Sequence, residues 1–181
     1  MNGIAKRLLG GVMLISAPTG AHGQSADHPV ISKFGGISPM ADAANKPAPG
    51  ETLRAIFNIT KPATEPKRPN PSLEKVARFI NLTGSVGHRS QAGDLIAIVH
   101  GPATPLVMSD AGHRARFGVS NPNLPLINAL LERGVRIHVC GQALAGNKIN
   151  ADDLAGGIIT DLSAMTTLAL YQTKGWALIP D

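Results

Sequence analysis

Asp94-Leu95-Ile96-Ala97-Ile98-Val99-His100-Gly101 decides the fold. Its five consecutive apolar residues are too short for an ordinary helix and too evenly apolar for a strand with one wet face. Such a run belongs to a strand buried on both faces, inside a parallel sheet covered by helices.

Working outward, short β-rich runs of the same kind recur at Leu53–Ile59, Val135–Cys140, Gly157–Thr160 and Trp176–Ile179. Helical patterns fill the intervals. Asn70-Pro71 pairs an N-cap residue with proline at the first helical position, and Leu73, Val76, Ala77 and Ile80 follow at helical spacing. A short helical piece spans Asp110–Arg116. Asn121-Pro122 opens a further helix carrying Leu124, Ile127, Leu130 and Leu131, which Gly134 ends. A small helix from Gln142 to about Gly146 and a helix capped by Ser163 complete the set. The alternation predicts a three-layer α/β domain over residues 53–181, with a mostly parallel five-stranded sheet and helices on both faces.

The segment ahead of that domain reads differently. Lys6 and Arg7 precede the apolar run Leu8–Ala17, and Pro18, Ala21 and Gly23 follow, which is the layout of a secretory signal peptide over residues 1–23. Ten apolar residues fall short of the roughly 20 that a spanning helix needs, so no permanent membrane anchor is expected. The reading places the mature protein in the periplasm or outside the cell. Residues 24–52, with Pro29, Pro39, Pro47 and Pro49 and no apolar periodicity, read as a poorly ordered leader.

Charge adds little. The chain of 181 residues has 17 Lys and Arg against 12 Asp and Glu; without Lys6 and Arg7 the balance is 15 against 12. Only 3% of residues are aromatic and no dense basic run is interleaved with stacking side chains, so nucleic acid is not an expected partner. Gly-x-Ser-x-Gly, Walker and His-Glu-x-x-His motifs are absent, which removes the usual support for hydrolase, nucleotide-binding and metalloprotease chemistry.

Chemistry concentrates where strands end. Ligands of open α/β sheets bind beyond the carboxyl ends of the strands, where this sequence places Asn58, His100, Cys140 and Asp161. Cys140 is the only cysteine, so it has no intramolecular disulfide partner. It stands just before a helix, and a helix N-terminus favours the thiolate, which is the nucleophile. His138, two residues earlier, shares its face of the strand, and His100 ends a strand that shares its edge, so either could assist deprotonation. Two plainer readings stand beside this one. A free cysteine is often a small buried hydrophobe, and His138-x-Cys140 offers one nitrogen and one sulfur ligand, fewer than structural zinc requires.

His100-Gly101-Pro102, Asn121 to Leu126, Ile137 to Leu144 with its strand-end Cys140, and Leu178-Ile179-Pro180 together resemble the DsrE/DsrF-like family over about residues 53–181. The resemblance implies a homo-oligomer, a trimer or hexamer, and a sulfur-relay role. In that role Cys140 takes sulfane sulfur from a donor, holds it as a persulfide and passes it to an acceptor protein or small thiol. Helix-end N–H groups near Gly141 and Gln142 would support the sulfur, and thiol exchange needs no metal or organic cofactor. The other reading of the same fold is a non-catalytic binding or assembly subunit with a structural cysteine. Relay members of the family work in the cytoplasm, so an exported member would meet a different donor and acceptor.

Overall fold

The computed structural model describes residues 27–65 and 67–181; the expected signal segment, 1–23, lies outside them. Five strands, β1 (Ala55–Ile59), β2 (Leu95–Val99), β3 (Arg136–Cys140), β4 (Ile158–Asp161) and β5 (Ala177–Ile179), form one sheet in the order β4-β3-β2-β1-β5. All four pairings are parallel. Every residue of β2 is buried, as its unbroken apolar run requires of a central strand.

Alternation along the strands sorts side chains between two layers. On one face Phe57, Ala97, Val99, Ile137 and Val139 meet helices α1 (Pro71–Ser85) and α3 (Leu124–Glu132), through Leu73, Val76 and Ile80 of the first and Leu126, Ile127 and Leu130 of the second. Burying one such side chain contributes about 1.5–3 kcal/mol. Asn70 starts α1 as expected, its side chain accepting the Ser72 N–H at 2.9 Å. The opposite face is thinner: Ile56, Ile96, Ile98 and Cys140 lie beneath a single helix, α5 (Ala164–Thr173), through Ala164, Leu168 and Tyr171. Two further helices, α2 (Asp110–Phe117) and α4 (Gly141–Asn147), occupy the connections at the carboxyl edge.

Two sequence expectations shift. The third helix begins at Leu124, not at Asn121-Pro122. Asn121 is buried and donates to the carbonyls of Leu106 and Met108, while its Oδ1 accepts the Asn123 N–H, so this stretch is a pinned connector. The stretch expected as a poorly ordered leader is docked between residues 27 and 37. Asp27 and Ile37 form an antiparallel bridge, and Ile31 is only 2% exposed in the main core. Asn81 of α1 explains the docking: its Oδ1 accepts the N–H groups of Val30 and Ile31, and its Nδ2 donates to the carbonyls of Phe34 and Gly35. Gly35, at φ +62°, lies so close to α1 that a Cβ there would come within 2.2 Å of the Arg78 nitrogen. Residues 38–52 continue as irregular, mostly exposed chain. No helix among the described residues is long and apolar enough to cross a membrane.

Candidate functional site

Strand β3 delivers Cys140 to the carboxyl edge, where the chain turns directly into α4. The thiol takes the place that a serine or aspartate oxygen usually fills at a helix start: Sγ accepts the Ala143 N–H at 3.4 Å. The sulfur therefore meets the N–H of Ala143 rather than those of Gly141 and Gln142. Gly141 has another duty, because a Cβ at that position would come within 2.7 Å of the Asp161 carbonyl oxygen, and only glycine lets α4 start so close to β4. Gln142 is exposed and its Nε2 donates to the Leu162 carbonyl at 3.3 Å, tying α4 to the loop before α5.

The ladder fixes what surrounds the thiol. On one side Cys140 is the register partner of Asp161 in β4. On the other, Val139 pairs with Val99, so the register continued by one residue sets His100 beside Cys140. The Nε2 of His100 lies 2.7 Å from Asn58 Oδ1; with the amide oxygen as acceptor, the proton sits on Nε2 and Nδ1 keeps its lone pair. Burial holds His100 below the ordinary histidine range, with the Asp181 carboxylate pulling the other way, which favours the neutral ring at neutral pH. Thus His100 and Cys140 share one edge as neighbours in register, with no hydrogen bond joining them.

His138 shares the Cys140 face, as the two-residue spacing predicts, and is engaged by a residue that sequence reasoning had placed at a strand end without a partner. Its Nδ1 lies 3.0 and 2.9 Å from the two carboxylate oxygens of Asp161. A carboxylate only accepts, so Nδ1 carries the hydrogen. Thr167 of α5 donates its hydroxyl to Asp161 Oδ2, and the Tyr171 ring stands edge-on to the imidazole with centroids 5.9 Å apart. The side chain of His138 is 7% exposed, and its Nε2 is buried with no hydrogen-bond partner. The signal that could have found Asp161 was its position: it ends β4 as Cys140 ends β3.

Cys140 itself is 6% exposed and packs with Ile56, Ile96, Ile98 and Ala164. At the far end of the same edge, the Asp181 carboxylate accepts from Ser72 Oγ, from the Thr60 N–H and hydroxyl at 2.7 and 2.8 Å, and from the Lys61 N–H at 2.8 Å. Among the described residues, no group of three or more His, Cys, Asp or Glu side chains is placed to hold a metal ion.

The DsrE/DsrF-like family model matches residues 54–180, nearly the whole sheet-bearing part of the chain. No curated protein matches. Among solved structures, a protein of unknown function from Methanobacterium thermoautotrophicum is similar, with a TM-score of 0.53 and 20% identity over 71% of this chain and 99% of that one. At that identity the likeness speaks for the fold alone.

Proposed function

The chain belongs to the DsrE/DsrF-like family, and on that premise we propose that it carries sulfane sulfur as a persulfide on Cys140 and hands it to an acceptor thiol. The observation that carries this reading is the placement of the thiol: the chain's only sulfhydryl ends β3 at the carboxyl edge, caps α4, and stands between His100 and Asp161. Persulfide exchange is thiol chemistry and needs no metal or organic cofactor. The Ala143 N–H already meets Sγ, the atom that would bear the added sulfur.

A second reading is favoured by one observation. Cys140 is 6% exposed and packed among isoleucines, which suits a structural thiol in a binding or assembly subunit of the same fold. Intact-protein mass spectrometry after incubation with a polysulfide donor separates the two. An adduct of one sulfur atom, removed by reductant and absent from Cys140→Ser, supports the carrier; a folded protein with no adduct supports the structural role.

We further propose that the mature protein works outside the cytoplasm, on the strength of the Lys6–Ala17 pattern, and that it assembles with copies of itself. The thin face supports assembly. Met165 of α5 is 80% exposed, and Leu178 exposes apolar surface on the edge strand β5 beside it.

A further inference from the structure

The cavity beside the edge strand holds groups that the carrier reading does not use. It is open, about 580 Å³ in volume, and lies between β4 and α5. Leu162, Leu170 and Tyr171 give it apolar walls, His138 and Asp161 line its inner end, and Lys174 stands at its side with Nζ 5.9 Å from the centre of the Tyr171 ring. His138 is 5% exposed, and its Nδ1 is committed to Asp161. Nε2 has no partner. Leaving a buried polar atom unpaired is unfavourable, and in the neutral tautomer with its hydrogen on Nδ1 a ring held by Asp161 offers Nε2 to receive a proton from a weak acid.

We propose that this cavity receives the acceptor thiol, a small thiol bearing an anionic group, and that His138 takes its proton; this rests on the reading of Cys140 as a sulfur carrier. Three features select that chemistry. The bare Nε2 calls for a group with a proton to give, the Tyr171 ring and leucine walls suit a polarisable sulfur, and the Lys174 ammonium calls for an anion. Position supplies the fourth argument. Asp161 both lines the cavity and is the register partner of Cys140, one strand spacing of about 4.8 Å away. A persulfide lengthens the Cys140 side chain by about 2 Å. Nε2 is covered in this structure, so entry of the thiol requires the Tyr171 ring, which stands edge-on to His138, to turn aside.

The step balances without an oxidant or reductant. The acceptor R–SH gives its proton to His138 Nε2, and its sulfur attacks the outer sulfur of Cys140–S–SH. An S–S bond forms in R–S–SH as the Sγ–S bond breaks. The electron pair stays on Sγ, which takes the proton back from His138. Asp161 is a positioning residue, holding the ring through Nδ1.

The test separates loading from unloading. Protein loaded with polysulfide is chased with 3-mercaptopropionate, an alkyl thiol protonated at neutral pH, or with 4-mercaptobenzoate, an aryl thiol already ionised there, and the persulfide is followed by intact mass. His138→Gln is expected to load normally, to unload to the alkyl thiol on the order of a hundredfold more slowly, and to unload to the aryl thiol at the parent rate. Equal slowing with both thiols, or none with either, overturns the proposal while leaving the carrier reading intact. A parent protein that never loads overturns both. Should His138→Gln fail to fold, Lys174→Ala, on an exposed side chain, decides: it is expected to raise the 3-mercaptopropionate concentration needed for unloading several-fold without changing that of neutral 2-mercaptoethanol. Equal behaviour with the two thiols overturns the proposal.

Discussion

Asp161 sits opposite Cys140 in the β3–β4 ladder, yet its carboxylate reaches diagonally to His138 and receives the Nδ1 hydrogen at 2.9 Å. The residue beside the thiol is thus committed to the imidazole behind it. Asp161→Ala would strip the buried His138 Nδ1 of its acceptor, while the Thr167 hydroxyl keeps the Ser163 carbonyl at 3.0 Å. The expected cost is about 1–3 kcal/mol in urea unfolding. Asp161→Asn, which keeps an acceptor oxygen, is expected to lose about half of that.

Gly141→Ala brings a methyl group within 2.7 Å of the Asp161 carbonyl. Backbone cannot yield as a flexible side chain can, so α4 and β4 must part. A loss of about 1–3 kcal/mol is expected, together with faster alkylation of Cys140 by iodoacetamide as its cover loosens.

Asn81→Ala removes the group that holds residues 30–35 to α1. Stability should fall by about 2–4 kcal/mol. Amide hydrogen exchange should quicken at Ile31 and Ile37 while β2 stays protected. Uniform quickening across the sheet would show that the segment is not a separable layer.

Asp181 links stability to pH. Burial alone would raise its carboxyl, but hydrogen bonds from Ser72, Thr60 and Lys61 outweigh burial and hold it well below the usual carboxylate range. A depressed carboxyl stabilises the fold fully above the unfolded value, about 3.9 for aspartate, and that contribution drains away as pH falls toward the folded value. Asp181→Asn is therefore expected to be less stable than the parent by about 2 kcal/mol at neutral pH. The gap should narrow steadily below about pH 4. A gap independent of pH would refute the linkage.

Met165→Lys puts a charge on the most exposed apolar side chain of α5. Its stability as a folded unit should stay within about 0.5 kcal/mol of the parent. Analytical ultracentrifugation should show the assembly weakened toward monomer. An unchanged sedimentation profile would move the subunit interface away from α5.

The fold was legible in the sequence because its signals are local. The unbroken apolar run of β2 marks burial on two faces, and Asn70-Pro71 marks a helix start from its own side chains. Cys140 was legible as a strand-end thiol for the same reason. What escaped depends on distant partners. Asn81 and the segment at Val30–Gly35 are some fifty residues apart in sequence, so the polar, proline-rich stretch looked unattached. The pairing of His138 with Asp161 is set by which strands become neighbours, and that order, β4-β3-β2-β1-β5, has no counterpart in any short window of residues. Asn121 carries the local signature of a helix start because it precedes a proline, whereas its amide is spent on the carbonyls of Leu106 and Met108.

The single helix over the thin face has a consequence for how the molecule is born. The lid over Cys140, carried by Ala164 and the rest of α5, comes later in the chain than the thiol, and β5 then crosses to the far edge to pair with β1. A ribosome therefore releases the cysteine before its roof. Throughout that interval the sulfur stands in the open, and the nascent chain, rather than the finished domain, is the form most easily oxidised or captured by a passing thiol.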